Sequence, residues 1–383
     1  MELKDFDIIK IESGTLEGVN IPFILVLPKQ LKEKNKLVTV FNNEGGESLD
    51  QSTQNIEKSL PTIIEKIQLD MPVVIPILPS KEEFDKTLKA EGIELTVGEP
   101  KQFARECFDP TIPKESKFYR IDEQVKTILK ALVNDEKLME LIKAKTKRTT
   151  SFGFEEKMVG FGHSGAGAAM LRFSLIHPEL FDTLIIGGNG DIVPTPIGEN
   201  ARKLAYPFGI QDFFELFGRE FPEDDYRKMS VQFYIGDRED SNRVFDTIRD
   251  ENYDQNGSGP KFAPENLAIA YKQLYGKGFF VRLKNVLMQL ESAGAKIGLK
   301  IYPDDCHSLI KPDDFQRVLK EGKSFEGDCA KQIQIMIDKR LLEGAKDASE
   351  GKTRSSTIDE QGRIINKGCQ VKEKIFEWKK LIK

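Results

Sequence analysis

The segment KMVGFGHSGAGAAM at 157–170 constrains the fold of this chain more than any other stretch. It begins with a short apolar run, continues through small residues around Ser164, and ends in alanines. A short apolar run beside glycine favours a buried strand, whereas alanine favours a helix. The small residues at 162–167 let the chain turn sharply between the two. The segment therefore predicts a strand, a tight turn at Ser164 and a helix.

A serine at a strand-to-helix turn is the arrangement of a nucleophile elbow, in which small neighbours permit close packing. Gly162 has the expected position, and Ala166 stands where glycine is usual, a departure of one methyl group. The turn places Ser164 at a helix N-terminus, where the dipole and the N–H groups stabilise a developing oxyanion. A phosphate-binding loop is the alternative, but the glycines at 162, 165 and 167 do not form G-x-G-x-x-G. Ser164 is therefore the candidate nucleophile.

The rest of the chain alternates short apolar runs with longer helical patterns, which is typical of a mostly parallel sheet with helices on both faces. Strands are predicted at 6–11, 21–27, 37–41, 73–77, 157–161, 183–187, 231–235 and 297–302, the first two as an antiparallel hairpin. Helices are predicted at 54–67, 120–134, 165–176, 266–292 and 329–342.

These elements predict one α/β domain over 1–325, of the α/β-hydrolase fold, with lid-like insertions at about 189–229 and 243–280. Residues 326–383 form a C-terminal helical extension that includes a polar segment. Four phenylalanines of the first insertion either line an acyl pocket or pack the insertion onto the core. They are Phe208, Phe213, Phe214 and Phe217.

The general base is found by elimination, because the chain has only three histidines. His163 immediately precedes the candidate nucleophile, so its side chain leaves the turn in another direction. His177 ends the helix after the turn, where we expect a capping or surface residue. His307 follows the last predicted core strand, and the loop there is where this kind of fold delivers its base. His307 is therefore the candidate base.

An acid that orients the imidazole is expected in the loop after the preceding strand. Three carboxylates compete in that loop: Asp237, Glu239 and Asp240. We prefer Asp240, because it lies far enough past the strand to turn back toward His307, and Asp237 is the alternative. The chain order serine, aspartate, histidine matches that of α/β-hydrolases.

Two backbone N–H groups are candidates for the oxyanion hole. One belongs to Gly165, the residue after the candidate nucleophile, and the other to the loop after the third strand. In that loop Asn43 is our choice, through its backbone N–H or its side-chain amide. The alternative is that the NNEGG sequence at 42–46 only forms a turn.

Composition argues against several other functions. The formal net charge of −5 gives no overall basic field for nucleic acid or anionic lipid. The longest apolar run, 71–78, is too short to span a bilayer, and the charged amino-terminal stretch lacks the apolar core of a signal peptide. We therefore expect a cytoplasmic protein without a nucleic-acid partner or a membrane span, and the sequence leaves its oligomeric state open.

Metal-ligand patterns are also missing from the sequence. Three histidines are scattered, and the four cysteines show no CxxC spacing, so we expect no metal and no cofactor. The cysteines are Cys107, Cys306, Cys329 and Cys369.

From about residue 37 to residue 309, the chain resembles bacterial α/β-hydrolases. The likeness is carried by NN at 42–43, PILP at 76–79, FYRIDEQ at 118–124, GHSGAG at 162–167, RFSLIHPE at 172–179, GG at 187–188, YPFGIQD at 206–212 and QFYIGDRED at 232–240. The resemblance implies a serine hydrolase without a cofactor and favours Ser164, Asp240 and His307 as its catalytic residues. The chain departs from the family at Ala166 and in FARECFD at 103–109, where a tyrosine–histidine pair is expected.

The resulting hypothesis is an enzyme that hydrolyses an ester or related acyl bond of a small molecule. A peptidase, a thioesterase or an acyltransferase would use the same machinery. The rival from another class is a non-catalytic binding protein of the same fold, since fold does not imply function.

Overall fold

The structure, a computed structural model, describes residues 3–42, 48–67, 70–93, 108, 110–188, 193–237, 270–271, 273–276, 279–305 and 309–349. The chain forms two compact units. The first comprises Met1–Ile185 with Lys311–Leu319, and the second comprises Ile186–Ile310 with Lys320–Lys383. The chain passes from the first unit to the second at residue 186 and again at residue 320.

The described strands are β1 (Phe6–Ile11), β2 (Phe23–Pro28), β3 (Lys34–Asn35), β4 (Val38–Val40), β5 (Val73–Pro76), β6 (Gly153–Phe154), β7 (Met158–His163), β8 (Phe181–Gly187), β9 (Ser230–Gly236) and β10 (Lys296–Tyr302). The described helices are α1 (Leu49–Ile67), α2 (Lys81–Ala90), α3 (Ile121–Asn134), α4 (Glu136–Thr146), α5 (Gly165–Ile176), α6 (Phe213–Phe217), α7 (Glu223–Lys228), α8 (Phe279–Ser292), α9 (Pro312–Glu321) and α10 (Cys329–Ser349). Short 3₁₀ helices occur at Leu3–Asp5 and Pro178–Leu180.

The main sheet of the first unit has the strand order β1-β2-β5-β4-β7-β8. Strand β2 runs antiparallel to β1 and to β5, whereas β4 runs parallel to β5 and to β7. Val38 of β4 pairs with Val73 on one side, and Val40 pairs with Phe161 on the other. A separate two-stranded sheet joins β3 to β6 in parallel.

The central strands are buried along their whole length, which explains their apolar sequences. Every residue of β2 and of β5 is buried, and so is every residue of β7 before His163. Strands buried on both sides need helices over both faces. Helix α3 has buried apolar residues spaced by three or four positions, so that they form one stripe. They are Ile121, Val125, Ile128, Leu129 and Leu132.

In the second unit, β9 and β10 pair in parallel over their full length, from Ser230 with Lys296 to Gly236 with Tyr302. The end of β8 lies against β9, since a Cβ atom on Gly187 would meet the ring of Tyr234 within about 2 Å. Only glycine allows this approach.

The predicted fold class is confirmed. Numbered along the chain, the main-sheet strands of the first unit are ordered 1-2-4-3-5-6, with the second strand antiparallel, as in the α/β-hydrolase fold. All eight predicted strands are present, with ends within two residues of the predicted ones. The sequence patterns missed the β3–β6 sheet and the helices α2, α4, α6, α7 and α9. Within the described residues, no helix is both long and apolar enough to cross a membrane.

Candidate active site

The backbone of Ser164 has φ 58° and ψ −127°. Among the described residues, the other non-glycine residues with positive φ are Arg120, Lys147 and Asp304. Arg120 and Lys147 lie in the left-handed helical region, whereas the ψ of Ser164 takes it outside that region. Such a conformation costs about 1–3 kcal/mol and persists only where the surroundings impose it. This strained turn lies between β7 and α5, where the sequence predicts a nucleophile elbow.

Close packing of the turn imposes this conformation. A Cβ atom on Gly162 would lie 2.6 Å from the Cα atom of Gly167 and 2.7 Å from the carbonyl oxygen of Ala166. The start of α5 thus rests directly on the end of β7, and any side chain at 162 would push them apart. The Ala166 methyl group is accommodated, since this residue is buried with 4% exposure.

Ser164 is the N-cap of α5, and its carbonyl oxygen accepts a hydrogen bond from the Ala168 N–H at 3.2 Å. Gly165 is the first residue of that helix. The first N–H groups of a helix have no acceptor within the helix. The Gly165 N–H is one of these groups.

The end of β4 lies beside the end of β7. Val40 of β4 pairs with Phe161 of β7, and the two strands are parallel. In the sequence, residue 43 comes three positions after Val40, and Ser164 comes three positions after Phe161. Asn43 itself lies outside the described residues. Asn42 is described, and its buried side chain hydrogen-bonds to both backbone polar groups of Leu78.

The predicted acid and base, Asp240 and His307, lie outside the described residues, and so does Glu239. The strands that precede them are described. The backbone N–H of Asp237 donates to the carbonyl oxygen of Tyr302 at 2.9 Å, directly after the last matched pair of β9 and β10. The loops that carry the two predicted residues thus start from neighbouring strand ends. Asp237, the alternative acid, is buried with 7% exposure.

His177 is the C-cap of α5, as expected for a capping residue, and its backbone N–H donates to the carbonyl oxygen of Phe173 at 2.8 Å. It is not a surface residue, because its side chain is fully buried. Its Nε2 atom lies 3.1 Å from Asp122 Oδ2, and its Nδ1 atom lies 3.2 Å from Glu179 Oε1. Asp122 also receives two hydrogen bonds from the Arg120 guanidinium, at 2.8 and 2.6 Å. His177 therefore joins helices α3 and α5, and both of its ring nitrogens are engaged.

Arg120, Asp122, His177 and Glu179 form a cluster, and its positively charged and hydrogen-bonding groups determine the protonation state of its two carboxyl groups. Burial would raise the pKa of Asp122, but hydrogen bonds from Arg120 and His177 outweigh burial and lower the pKa to about 2. Burial opposes ionisation of Glu179 in the same way, and its hydrogen bond with His177 lowers that pKa to about 2. Both carboxylates are thus charged at neutral pH. Asp122 and Glu179 belong to the segments 118–124 and 172–179, which the resemblance to a family had singled out. Nothing in the sequence indicated that these two segments meet.

The same cluster contains the described residues with ligand atoms close enough for a metal ion, namely Asp122, Glu123 and His177, within 4.8 Å of one another. The Arg120 Nη2 atom lies 2.6 Å from Asp122 and 3.2 Å from Glu123. A guanidinium thus already supplies the positive charge that these carboxylates need. The arrangement is that of a structural ion-pair network.

In the second unit the predicted insertion is rich in buried aromatic residues. Phe208, Phe213 and Phe217 are buried, whereas Phe214 is 56% exposed. Phe208 packs on Tyr271, and Phe213 packs on Phe217. Burial against other aromatic rings fits the packing role for three of the four phenylalanines. Phe213 and Phe214 both line a cavity of about 230 Å³.

No protein-family model and no curated protein sequence matches this chain. Among solved structures, it is similar to poly(aspartic acid) hydrolase-1 from Sphingomonas sp. KT-1, with 14% identity, TM-score 0.43, and coverage of 82% of this chain and 97% of that one. It is similar to the poly(3-hydroxybutyrate) depolymerase LpqC from Bordetella parapertussis, with 13% identity, TM-score 0.40, and coverage of 86% and 94%. It is also similar to an S-formylglutathione hydrolase from Agrobacterium tumefaciens, with 11% identity, TM-score 0.37, and coverage of 82% and 91%. Likeness at this level does not specify an activity, so the chain's own residues must carry any assignment of function.

Proposed function

We propose that this protein is a serine hydrolase that cleaves an ester or related acyl bond, with Ser164 as nucleophile. The observation that carries the proposal is the backbone of Ser164, at φ 58° and ψ −127°, between a buried strand and a helix N-terminus. A strained serine at this turn points its hydroxyl out of the sheet, where a substrate can reach it. Strain of this kind is concentrated at functional sites.

In the proposed reaction, the Ser164 hydroxyl attacks the acyl carbonyl while His307 accepts its proton. The carbonyl oxygen becomes an oxyanion, which the N–H groups of Gly165 and Asn43 stabilise. Collapse of this intermediate releases the alcohol, which takes the proton from His307, and leaves an acyl group on Ser164. Water then hydrolyses the acyl-enzyme by the same steps in the same order.

Asp240 is the proposed acid, which accepts a hydrogen bond from His307 and stabilises its cation. Support for pairing these residues comes from the parallel register of β9 and β10, because their carboxyl ends lie at the same edge of the sheet. Asp237 stays the alternative, since it lies at that edge and is buried. A carboxylesterase-like or lipase-like activity is part of the proposal.

Labelling with a fluorophosphonate probe tests the proposal. The wild-type protein should be labelled, and Ser164→Ala should abolish labelling while the protein remains folded. Ser174→Ala is the matched control, because it also removes a serine hydroxyl. Ser174 lies in α5, the helix that begins after Ser164, and its hydroxyl donates a hydrogen bond to the carbonyl oxygen of Leu171. This control should be labelled like the wild type.

Each outcome has a definite meaning for the proposal. A folded wild-type protein that is not labelled would indicate a binding protein without a reactive serine. Labelling that persists in Ser164→Ala would assign the nucleophile to another residue.

A further inference from the structure

The first insertion, in the second unit, contains a cavity of about 230 Å³ that is lined in part by three phenylalanines. Two of them, Phe213 and Phe221, are buried, and their rings pack edge-on with centroids 5.4 Å apart. The face of an aromatic ring carries partial negative charge, which attracts a cation within about 6 Å of the ring centroid. Phe213 shows this attraction, since the guanidinium carbon of Arg219 lies 5.8 Å from its ring centroid. The aromatic part of the cavity wall therefore favours a positively charged ligand.

The third phenylalanine, Phe214, has a ring that the protein itself leaves more than half uncovered. Its exposed fraction is 56%, and within the described part of the chain it packs on no other aromatic ring. The preceding residue, Phe213, instead packs on Phe217 with ring centroids 4.6 Å apart. A ligand in the cavity can therefore contact the Phe214 ring without displacing another side chain.

The charged residues that line the cavity are two carboxylates and one guanidinium, those of Glu215, Glu220 and Arg202. The Arg202 Nη2 atom lies 3.9 Å from Glu220 Oε2, so these two opposite charges offset each other. Glu215 follows Phe214 in the chain and is exposed, and no hydrogen bond or ion pair joins it to another described residue. The lining thus carries one excess negative charge, next to the uncovered ring.

The volume of the cavity limits the size of a ligand. An apolar cavity of about 150 Å³ holds one benzene ring. At about 230 Å³, this cavity has room for one ring with a short polar substituent, and it is too small for a long acyl chain or a peptide.

We propose that this cavity binds a small organic cation in which an ammonium group is joined to one aromatic ring by a short linker. The ring of the ligand packs against Phe213 and Phe221, and the ammonium group lies between the Phe214 ring and the Glu215 carboxylate. The inference goes beyond the proposed function, because it concerns a second ligand and requires no chemistry at Ser164.

Three probes that share one ring and differ in charge test the proposal on the wild-type protein. They are benzylammonium, benzyl alcohol and benzoate, each titrated by saturation-transfer difference NMR. Benzylammonium should bind with a Kd of about 1 mM, a value that is reasonable for a ligand of this size. Benzyl alcohol should bind about tenfold more weakly, because it lacks the charge that Phe214 and Glu215 attract, and benzoate should bind more weakly still.

Substitutions divide this preference between the two residues. Phe214→Leu keeps an apolar side chain but removes the ring, so it should weaken benzylammonium binding by about fivefold and benzyl alcohol binding by less than about twofold. Glu215→Gln should weaken benzylammonium binding by about twofold, because an exposed ion pair contributes little. In the double variant, benzylammonium and benzyl alcohol should bind equally.

Two control variants replace exposed residues of the second unit that do not line the cavity. Met288→Leu changes an apolar side chain of α8 that is 51% exposed, and Glu199→Gln neutralises an exposed carboxylate of the same insertion. Both controls should bind benzylammonium and benzyl alcohol like the wild type. All variants change exposed side chains, so they are expected to fold, which circular dichroism checks.

The comparison of the three probes on the wild type needs no variant and can overturn the inference by itself. It does so if benzylammonium shows no saturable binding up to about 10 mM, or if benzoate binds as tightly as benzylammonium, since Arg202 would then decide the ligand's charge. Among the variants, an equal loss of benzylammonium and benzyl alcohol affinity in Phe214→Leu would also overturn it. So would controls that lose as much affinity as the cavity variants.

Discussion

Replacing Asp122 by Asn removes the carboxylate that lies between Arg120 and His177 in the first unit. The pKa of Asp122 is lowered from 3.8 to about 2, despite burial that acts to raise it, by hydrogen bonds from these two residues. At about 1.4 kcal/mol per tenfold change in proton affinity, this corresponds to about 2 kcal/mol of stability at pH 7. Its side chain is 1% exposed, so solvent screens this energy little.

The loss of stability in Asp122→Asn should equal or exceed that value. Arg120 and His177 remain at 15% and 0% exposure, and removing one partner of a buried ion pair costs about 3–5 kcal/mol. An asparagine at 122 keeps one acceptor oxygen, which offsets part of this cost. We therefore expect the free energy of unfolding of Asp122→Asn to be lower by about 2 to 4 kcal/mol at pH 7.

The pH dependence follows from the direction of the pKa change. Because the folded-state pKa lies below the unfolded value, the stabilisation is fully present above about pH 5. It is lost as the pH falls through the folded-state pKa of about 2. Wild type and variant should therefore differ most at neutral pH and converge toward pH 2.

Urea unfolding followed by circular dichroism at several pH values measures this difference. Glu82→Gln is the control, since it removes an exposed carboxylate that is paired with Lys86 at 2.8 Å within one helix. It should change the free energy of unfolding by less than about 0.5 kcal/mol. A loss in Asp122→Asn no larger than in this control would refute the reasoning, and so would a difference that does not shrink in acid.

Three further predictions concern the proposed catalytic residues. Ser164→Gly should unfold at a higher temperature than Ser164→Ala in calorimetry, because glycine adopts φ 58° at little cost; equal midpoints would argue against strain. His307→Ala should lower kcat by several orders of magnitude, while His163→Ala should leave in place a rate that rises through about pH 6.5, and the reverse result would move the base to His163. Asp240→Asn should lower kcat by about four orders of magnitude on an activated ester and Asp237→Asn far less; an inactive Asp237→Asn beside an active Asp240→Asn would exchange their roles.

Much of the fold was predictable because its elements depend on nearby residues. The central strands β2, β5 and β7 are short apolar runs, and burial on both faces gives them that composition whichever strand lies beside them. The sharp turn at Ser164 was predictable for the same reason, since the clash that excludes a side chain at Gly162 is with Ala166 and Gly167. Asp240, His307 and Asn43 lie outside the described residues and stay predictions.

Contacts between distant segments were not predictable. Strand β5 lies between β2 and β4 although it follows β4 in the chain, and the apolar pattern of a strand does not specify its neighbours. His177 ends its helix in a position typical of a surface residue, and it is buried because Asp122, 55 residues earlier, lies beside it.

The sequence by itself determined the sharp turn at Ser164, the strands and helices on either side of it, and hence the class of fold. The tertiary structure decided the strand order, the burial of His177 and the bond between Asn42 and Leu78. The physical reason is the separation along the chain over which each kind of interaction acts. Steric limits at glycine act between neighbours in the chain, whereas a buried polar side chain takes its role from partners that come within hydrogen-bonding distance only when the sheet is assembled.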